Sequence, residues 1–351
     1  MVRVTVLGSG SKGNCTVVST SRTCILLDAG FSSREIVKRM RLSGEDPEKL
    51  DGILVSHEHS DHVQGLSVLA RRWKVPVYAT QATHAAWREW MTPRTTMGFQ
   101  AWLEMRRQQN AEGSRASVDG ECGPTEGETI LDKVTAEQET GNAADGSAAT
   151  LEELAERLKC ASAPCGDPPE VQELFSRSRE ADPACLPCVE YFHAGIPFEV
   201  GDIRVTPFTI PHDAADPVGF VLQTEGMRIV IATDLGYLAP NVRMQMHGAD
   251  LLMIESNHDV EMLRDGPYPW VVKQRVLSRV GHLSNDALGE FLASEYDGGA
   301  RYVILAHISE SNNLPELALS SAERALSGKR NLLANKVLLA SQRSPLESIQ
   351  L

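Results

Sequence analysis

The sequence predicts an α/β fold, a four-layer αββα sandwich carrying an acidic, partly disordered insertion. Short β-branched runs alternate with segments whose apolar residues recur every three or four positions, up to about residue 95 and again from about residue 198. Two strand-rich halves, each with helices to cover one face, bury their apolar surface as two sheets packed between outer helices. Between the halves the rhythm is lost, and the chain turns rich in Gly, Ala, Ser, Glu, Thr and Pro.

In the first half, residues 2–7, 16–19, 24–28, 52–56 and 75–79 read as strands, most ending in Gly, Ser or Asp. Residues 32–42, 63–74 and 82–91 read as helices between and after them. In the second half, strands are expected at 203–210, 218–223, 227–233, 251–255 and 302–306, with helices at 269–279, 284–294 and 315–326. The expected organisation is one domain from residues 1–95 and 196–351, with residues 96–195 as an insertion. The insertion has one credible helix, residues 150–159, with Leu151, Leu154 and Leu158 on a narrow stripe. No internal repeat is apparent.

The net charge of −13 belongs mainly to one segment. Residues 104–190 carry 19 acids and 8 bases, leaving 28 acids and 26 bases for the rest of the 351 residues. The acidity therefore does not exclude a polyanionic substrate at a site built from the two halves. No apolar run approaches the roughly 18 residues a membrane span needs. The first residues, MVRVTVL, alternate like a strand and lack the pattern of a signal peptide, so a cytoplasmic protein is expected. Seven cysteines, an odd number, argue for reduced thiols. Cys15 and Cys24 read as small core residues. Cys160, Cys165, Cys185 and Cys188 form two close pairs, which are either the thiolates of a structural zinc knuckle or incidental residues of an acidic loop.

The strongest signal is Ser56-His57-Glu58-His59-Ser60-Asp61-His62, between an apolar strand and a helix. A lone histidine is usually a packing or surface residue. His57, His59, Asp61 and His62 together offer imidazole and carboxylate donors from one loop, the donor types that hold divalent metals. Three more such residues each follow a strand: His212, Asp234 and His307. Carboxyl ends of strands that converge on one edge are where layered α/β folds place ligands.

This ordered set resembles the metallo-β-lactamase superfamily, whose fold is the αββα sandwich. The resemblance implies that His57, His59 and His212 hold one divalent ion, that Asp61, His62 and His307 hold a second, and that Asp234 bridges them. With no cysteine at a ligand position, the similarity is to the phosphodiesterase and thioesterase branches. Five further motifs resemble the YycJ/WalJ group of bacterial metallohydrolases. They are Gly8-Ser9-Gly10-Ser11-Lys12-Gly13-Asn14, Glu255-Ser256-Asn257-His258-Asp259, Tyr268-Pro269, Gly281-His282-Leu283-Ser284-Asn285 and Asn312-Asn313-Leu314-Pro315-Glu316. That group is associated with 5′ to 3′ exonuclease activity on double-stranded DNA in replication or repair. The similarity covers roughly residues 1–95 and 195–330 and leaves out the insertion. Gly281-His282-Leu283-Ser284 also resembles the histidine motif of the ribonuclease Z relatives, and His282 precedes His307 by 25 residues.

On this reading the chain is a dinuclear-metal phosphodiesterase with zinc or manganese and a nucleic-acid substrate, expected to be DNA. Asp61 orients the attacking water. His282 either stabilises charge and protonates the leaving oxygen or merely orients a ligand. Ser284 is an N-cap beside it. Residues 8–14 lack the lysine-serine pair of a phosphate-binding loop and the spacing of a dinucleotide fingerprint. They form a simple turn, or Ser11 and Asn14 line the substrate phosphate path. Asn257 is a further candidate substrate contact, and His258 is either a supporting or a surface residue. His84, His193 and His247 read as ordinary. The competing functions are RNA processing, hydrolysis of a small thioester or lactone, and a binding protein with a vestigial site.

Overall fold

The computed structural model describes residues 1–91, 184–329 and 335–351. The chain divides into two compact units, Met1–Thr92 with Ala181–Leu351, and Pro93–Glu180, and the description concerns the first. The helix expected at residues 150–159, with Cys160 and Cys165, lies outside the described residues.

Two seven-stranded sheets form the unit. In the first, β1 (Arg3–Gly8), β2 (Cys15–Ser19) and β3 (Cys24–Leu27) pair antiparallel. Then β4 (Gly52–Leu54), β5 (Val77–Ala79) and β6 (Val189–Tyr191) continue it in parallel, and β14 (Ile349–Gln350) closes the β1 edge. The second runs antiparallel through β7 (Phe198–Val200), β8 (Ile203–Thr209), β9 (Val218–Thr224) and β10 (Met227–Ala232). It turns parallel at β11 (Leu251–Glu255), β12 (Tyr302–Ala306) and β13 (Lys336–Leu339). Strands in the parallel parts are covered on both faces, which is why Leu251–Glu255 and Tyr302–Ala306 read as continuous apolar runs.

Three apolar layers follow from this packing. One holds the sheets together with Val4, Ile25 and Leu54 from the first and Val205, Phe220 and Ile304 from the second. The next lies between the first sheet and α1 (Ser33–Leu42), α3 (Leu66–Trp73) and α4 (Gln81–Met91), around Leu26, Ile36, Met40, Leu69 and Trp87. The third lies between the second sheet and α5 (Pro240–Met246), α8 (Asn285–Ser294) and α9 (Pro315–Leu326), around Val242, Phe291, Leu305 and Leu326. Alternation along a strand does the sorting: Ile304 faces the other sheet, while Val303 and Leu305 face the helices. The αββα sandwich is thus realised. Among the described residues no helix is long and apolar enough to cross a membrane.

Several boundaries differ from the sequence reading. The helix expected at 63–74 is two pieces, α2 (Ser60–Val63) and α3, because Gly65 donates to Ala29 O and packs against the Phe31 carbonyl. The sheet takes up the chain again at β6, ahead of the boundary expected from composition near residue 195. The helix expected to reach Arg279 ends earlier, as α7 (Trp270–Val276). Helices α5 and α6 (Val260–Asp265) and strands β13 and β14 carry too few residues to show a period. Cys15 and Cys24 are buried in the core as expected.

Gly30 matters because the loop bearing the candidate ligands rests on it. Asn14 N donates to Asp61 O at 2.7 Å and Gly30 N to Asn14 O at 3.0 Å, and a Cβ on Gly30 would collide with the Asp61 carbonyl. Gly30→Ala is expected to cost about 1–3 kcal/mol by overpacking, read as a lower midpoint in denaturant melts. Gly328→Ala, where an added Cβ meets nothing within 4 Å, should leave the midpoint nearly unchanged.

Candidate metal centre

The candidate ligands follow the carboxyl ends of strands: His57 and His59 in the loop after β4 with Asp61 and His62 in the short helix α2 that follows it, His212 after β8, Asp234 after β10 and His307 after β12. The structure brings all seven together. The ligand atoms of His57, His59 and His212 lie within 4.8 Å of one another, and so do those of Asp61, His62, Asp234 and His307. Asp234 links the two groups, with Oδ2 at 3.2 Å from His62 Nε2 and Oδ1 at 3.9 Å from His212 Nε2. Asp234 and His307 have φ of 61° and 52°, a left-handed conformation that non-glycine residues adopt at some cost and that clusters at functional sites.

Hydrogen bonds from behind aim the rings. Asp28, itself at φ 58°, accepts from Ser56 N and Ser56 Oγ and meets His62 Nδ1 at 2.8 Å, which turns His62 Nε2 inward. His212 Nδ1 donates to Gly281 O at 3.2 Å. Glu255, fully buried, meets His307 Nδ1 at 2.9 Å and His282 Nδ1 at 2.8 Å with Oε1. Its Oε2 accepts from Leu235 N and Leu283 N. Glu255, His282, Asp234 and His307 thereby form a third group of converging donors. Metal-ligating histidines depend on such partners for tautomer and orientation.

The sequence reading missed Asp28 and Glu255 as site residues. Both are acids closing an apolar strand, a signal available in the sequence, but only the fold shows which rings they face. Asn14 lies inside the site, with Nδ2 at 3.0 Å from His62 Nε2 and 3.3 Å from Asp61 Oδ2, while Ser11 is exposed on the same loop. Asn257, expected among the substrate contacts, is buried and donates its amide to His307 O, so it braces that residue. Ser284 caps α8 by accepting from Ala287 N. His258 is buried with both ring nitrogens unpartnered, and burial brings its pKa down to about 4. Cys185 and Cys188 are exposed free thiols.

The donor set fits divalent cations on two further observations. His57 Nε2 is buried with no hydrogen-bond partner. Moreover, His57 and His212 are shifted in the opposite direction to His62 and His307. Burial, reinforced at His57 by the neighbouring His62, drives His57 and His212 toward neutral imidazole. At His62 and His307 burial also disfavours the cation, but Asp234 with Asp28 and Asp61 at the first, and Asp234 with Asp61 and Glu255 at the second, raise both pKa values well above the ordinary one. In turn, burial would raise the Asp234 and Glu255 carboxyls, yet His307 and His62 hold Asp234 low, and His282 and His307 take Glu255 to about 2.

In metal-free protein these carboxylates favour the protonated forms of His62 and His307, so a cation binding there competes with protons. The stability these protonated rings contribute is present below the unfolded imidazole pKa and lost as pH rises through their raised folded values. Loss of proton competition strengthens metal binding over the same interval. The gain in melting temperature on adding zinc to stripped protein should thus grow with pH. Calorimetric titrations in two buffers of different ionisation heat should show proton release at pH 7, and equal heats in both would contradict it.

Comparison with known proteins agrees with this architecture. Residues 8–139 match the model of the metallo-beta-lactamase superfamily, and residues 147–308 that of a beta-lactamase superfamily domain. The chain is 28% identical over 324 residues to exodeoxyribonuclease YycJ of Bacillus anthracis, covering 92% of this chain and 89% of that protein. It is 28% identical over 316 residues to exodeoxyribonuclease WalJ of Streptococcus pneumoniae, covering 90% and 85%. Among solved structures, the metallo-beta-lactamase fold protein YhfI from Bacillus subtilis aligns with a TM-score of 0.55 at 14% identity, over 99% of this chain and 100% of YhfI. With both sheets, the strand-end donors and two superfamily matches that together span most of its length, this chain belongs to the metallo-β-lactamase superfamily and is a metal-dependent hydrolase of that fold.

Proposed function

We propose that the chain is a dinuclear-metal phosphodiesterase that acts on double-stranded DNA as a 5′ to 3′ exonuclease in the cytoplasm. The observation that carries this reading is His282, held beside the candidate metal centre by Glu255. A thioester releases a thiolate that needs no proton, whereas a phosphodiester has a poor leaving oxygen that gains from a proton donor. The exodeoxyribonuclease names of the relatives supply the DNA substrate and point the same way.

His57, His59 and His212 would hold one cation and Asp61, His62 and His307 the other, with Asp234 between them. Zinc and manganese both suit imidazole and carboxylate donors. When bound, such a pair supplies positive charge to the phosphoryl oxygens and acidifies water. Asp61, on the exposed side of the pocket, orients the attacking water and accepts its hydrogen bond. Burial opposes the charge on His282, but the Glu255 carboxylate outweighs it, raises the pKa above the ordinary imidazole value and so favours the protonated form. With Nδ1 occupied by Glu255, Nε2 is left to give its proton to the leaving oxygen.

His282→Ala is expected to lower turnover of duplex DNA by about 10²–10⁴-fold, the usual worth of a general acid. A p-nitrophenyl phosphodiester, whose leaving group needs no proton, should lose far less, and an equal loss on both substrates would remove His282 from that role. Glu255→Gln should move the basic limb of the pH–rate profile to lower pH, because the protonated, active form of His282 loses its stabilising carboxylate. The substrate itself is tested with labelled duplex DNA, structured RNA and a thioester in parallel, with zinc or manganese added. Release of 5′ mononucleotides from duplex DNA is expected, and thioester turnover without nuclease activity would overturn the proposal.

A further inference from the structure

We propose that α7 and the turn after it, residues 270–280, form the track on which the nucleic-acid strand flanking the cleaved bond lies. The inference rests on the phosphodiesterase reading and adds the surface that would recognise the polymer. Three observations support it.

The first is exposure. α7 buries none of its residues, with Trp270 64% and Val271 75% exposed, and Leu277 and Val280 are exposed after it. An indole on a protein surface stacks on any base, because every base has a π face. The second is charge. Residues 266–285 contain no Asp or Glu, in a chain with 47 of them, and include Lys273, Arg275 and Arg279. A cationic strip in an acidic protein attracts phosphates locally, since charges beyond about 10 Å are largely screened.

The third is attachment to the candidate centre. His282 N donates to Val276 O at 2.9 Å, Asp213 N to Val280 O at 3.1 Å, and Arg275 pairs with Asp213, the neighbour of His212. A Cβ on Gly281 would strike the carbonyls of Arg275 and Val276, and one on Gly236 the carbonyl of Arg279, so the turn is packed directly onto the ligand loops. The Arg279 guanidinium lies 4.4 Å from the centre of the Tyr237 ring, which holds the charge at the rim. Tyr237, Leu277, His282 and Ser284 line a cleft of about 390 Å³. Arg243, Glu290 and Glu295 line the same cleft, and Arg243 is paired with Glu295. A protein partner seated on α7 would stand over the mouth of the catalytic groups. A strand of nucleic acid has to pass there.

The test measures binding of a labelled DNA duplex to metal-stripped protein by fluorescence anisotropy at several salt concentrations, and hydrolysis of bis(p-nitrophenyl) phosphate by metal-loaded protein. Lys273→Ala with Arg279→Ala should weaken duplex binding on the order of tenfold and lower the slope of log affinity against log salt by about two, one for each lost phosphate contact. Trp270→Ala should weaken binding with the slope unchanged. All three substitutions lie on the surface, so hydrolysis of the small phosphodiester should be unaffected. Unchanged affinity and slope in these variants, or a wild type that does not bind duplex, would overturn the proposal. So would a dimer of this chain that Trp270→Ala dissociates, since α7 would then be a subunit interface. Failure to hydrolyse any phosphodiester, large or small, would instead count against the activity itself and is read separately by the small substrate.

Discussion

A single buried carboxylate ties the catalytic edge of this fold together. Glu255 closes the parallel strand β11 with no exposed surface, and its two oxygens meet two histidine rings and two backbone amides. The rings belong to His282 and His307, and the amides to the loops that carry Asp234 and His282. An unpaired carboxylate in that position would be prohibitively costly, and the two rings and two backbone N–H groups that face it make it tolerable. The same contacts fix each ring by Nδ1 and leave Nε2 facing the site. Charge balance and geometry are therefore one constraint: removing Glu255 would loosen three loops and alter the protonation of both histidines.

Asp28 repeats the arrangement in the first sheet, where it meets His62 and the Ser56 amide. The candidate centre thus draws one supporting acid from each sheet, and the apolar layer between the sheets keeps the two halves at a fixed separation. Asp28, Asp234 and His307 all take the left-handed backbone conformation. Such residues persist where surrounding contacts over-determine them, and Asp28 and His307 are held by hydrogen bonds on both backbone and side chain.

Net charge is a poor guide to what such a protein meets, because the acids and bases are distributed unevenly. The surface beside the candidate centre combines an acid-free segment with exposed apolar residues, while the total of −13 reflects a different part of the chain. Local potential decides what approaches a site within a Debye length.

How far the sequence alone reached follows from the range of the forces involved. Periodicity and turn residues act over a few positions, so β12 (Tyr302–Ala306) and α9 (Pro315–Leu326) were legible with their ends. The close spacing of His57, His59, Asp61 and His62 marked them as donors, and the strand-end positions of His212, Asp234 and His307 marked those as partners. Short edge strands such as β14, and the break between α2 and α3 at Gly65, depend on contacts with distant segments and left no local pattern. Which acid faces which ring was likewise decided only in three dimensions. Glu255 and Asp28 look like ordinary strand ends until folding places them behind His307 and His62, and only folding puts the Asn257 amide on the His307 carbonyl. Residue types and their order come from the sequence, whereas protonation and orientation come from burial and from neighbours far along the chain.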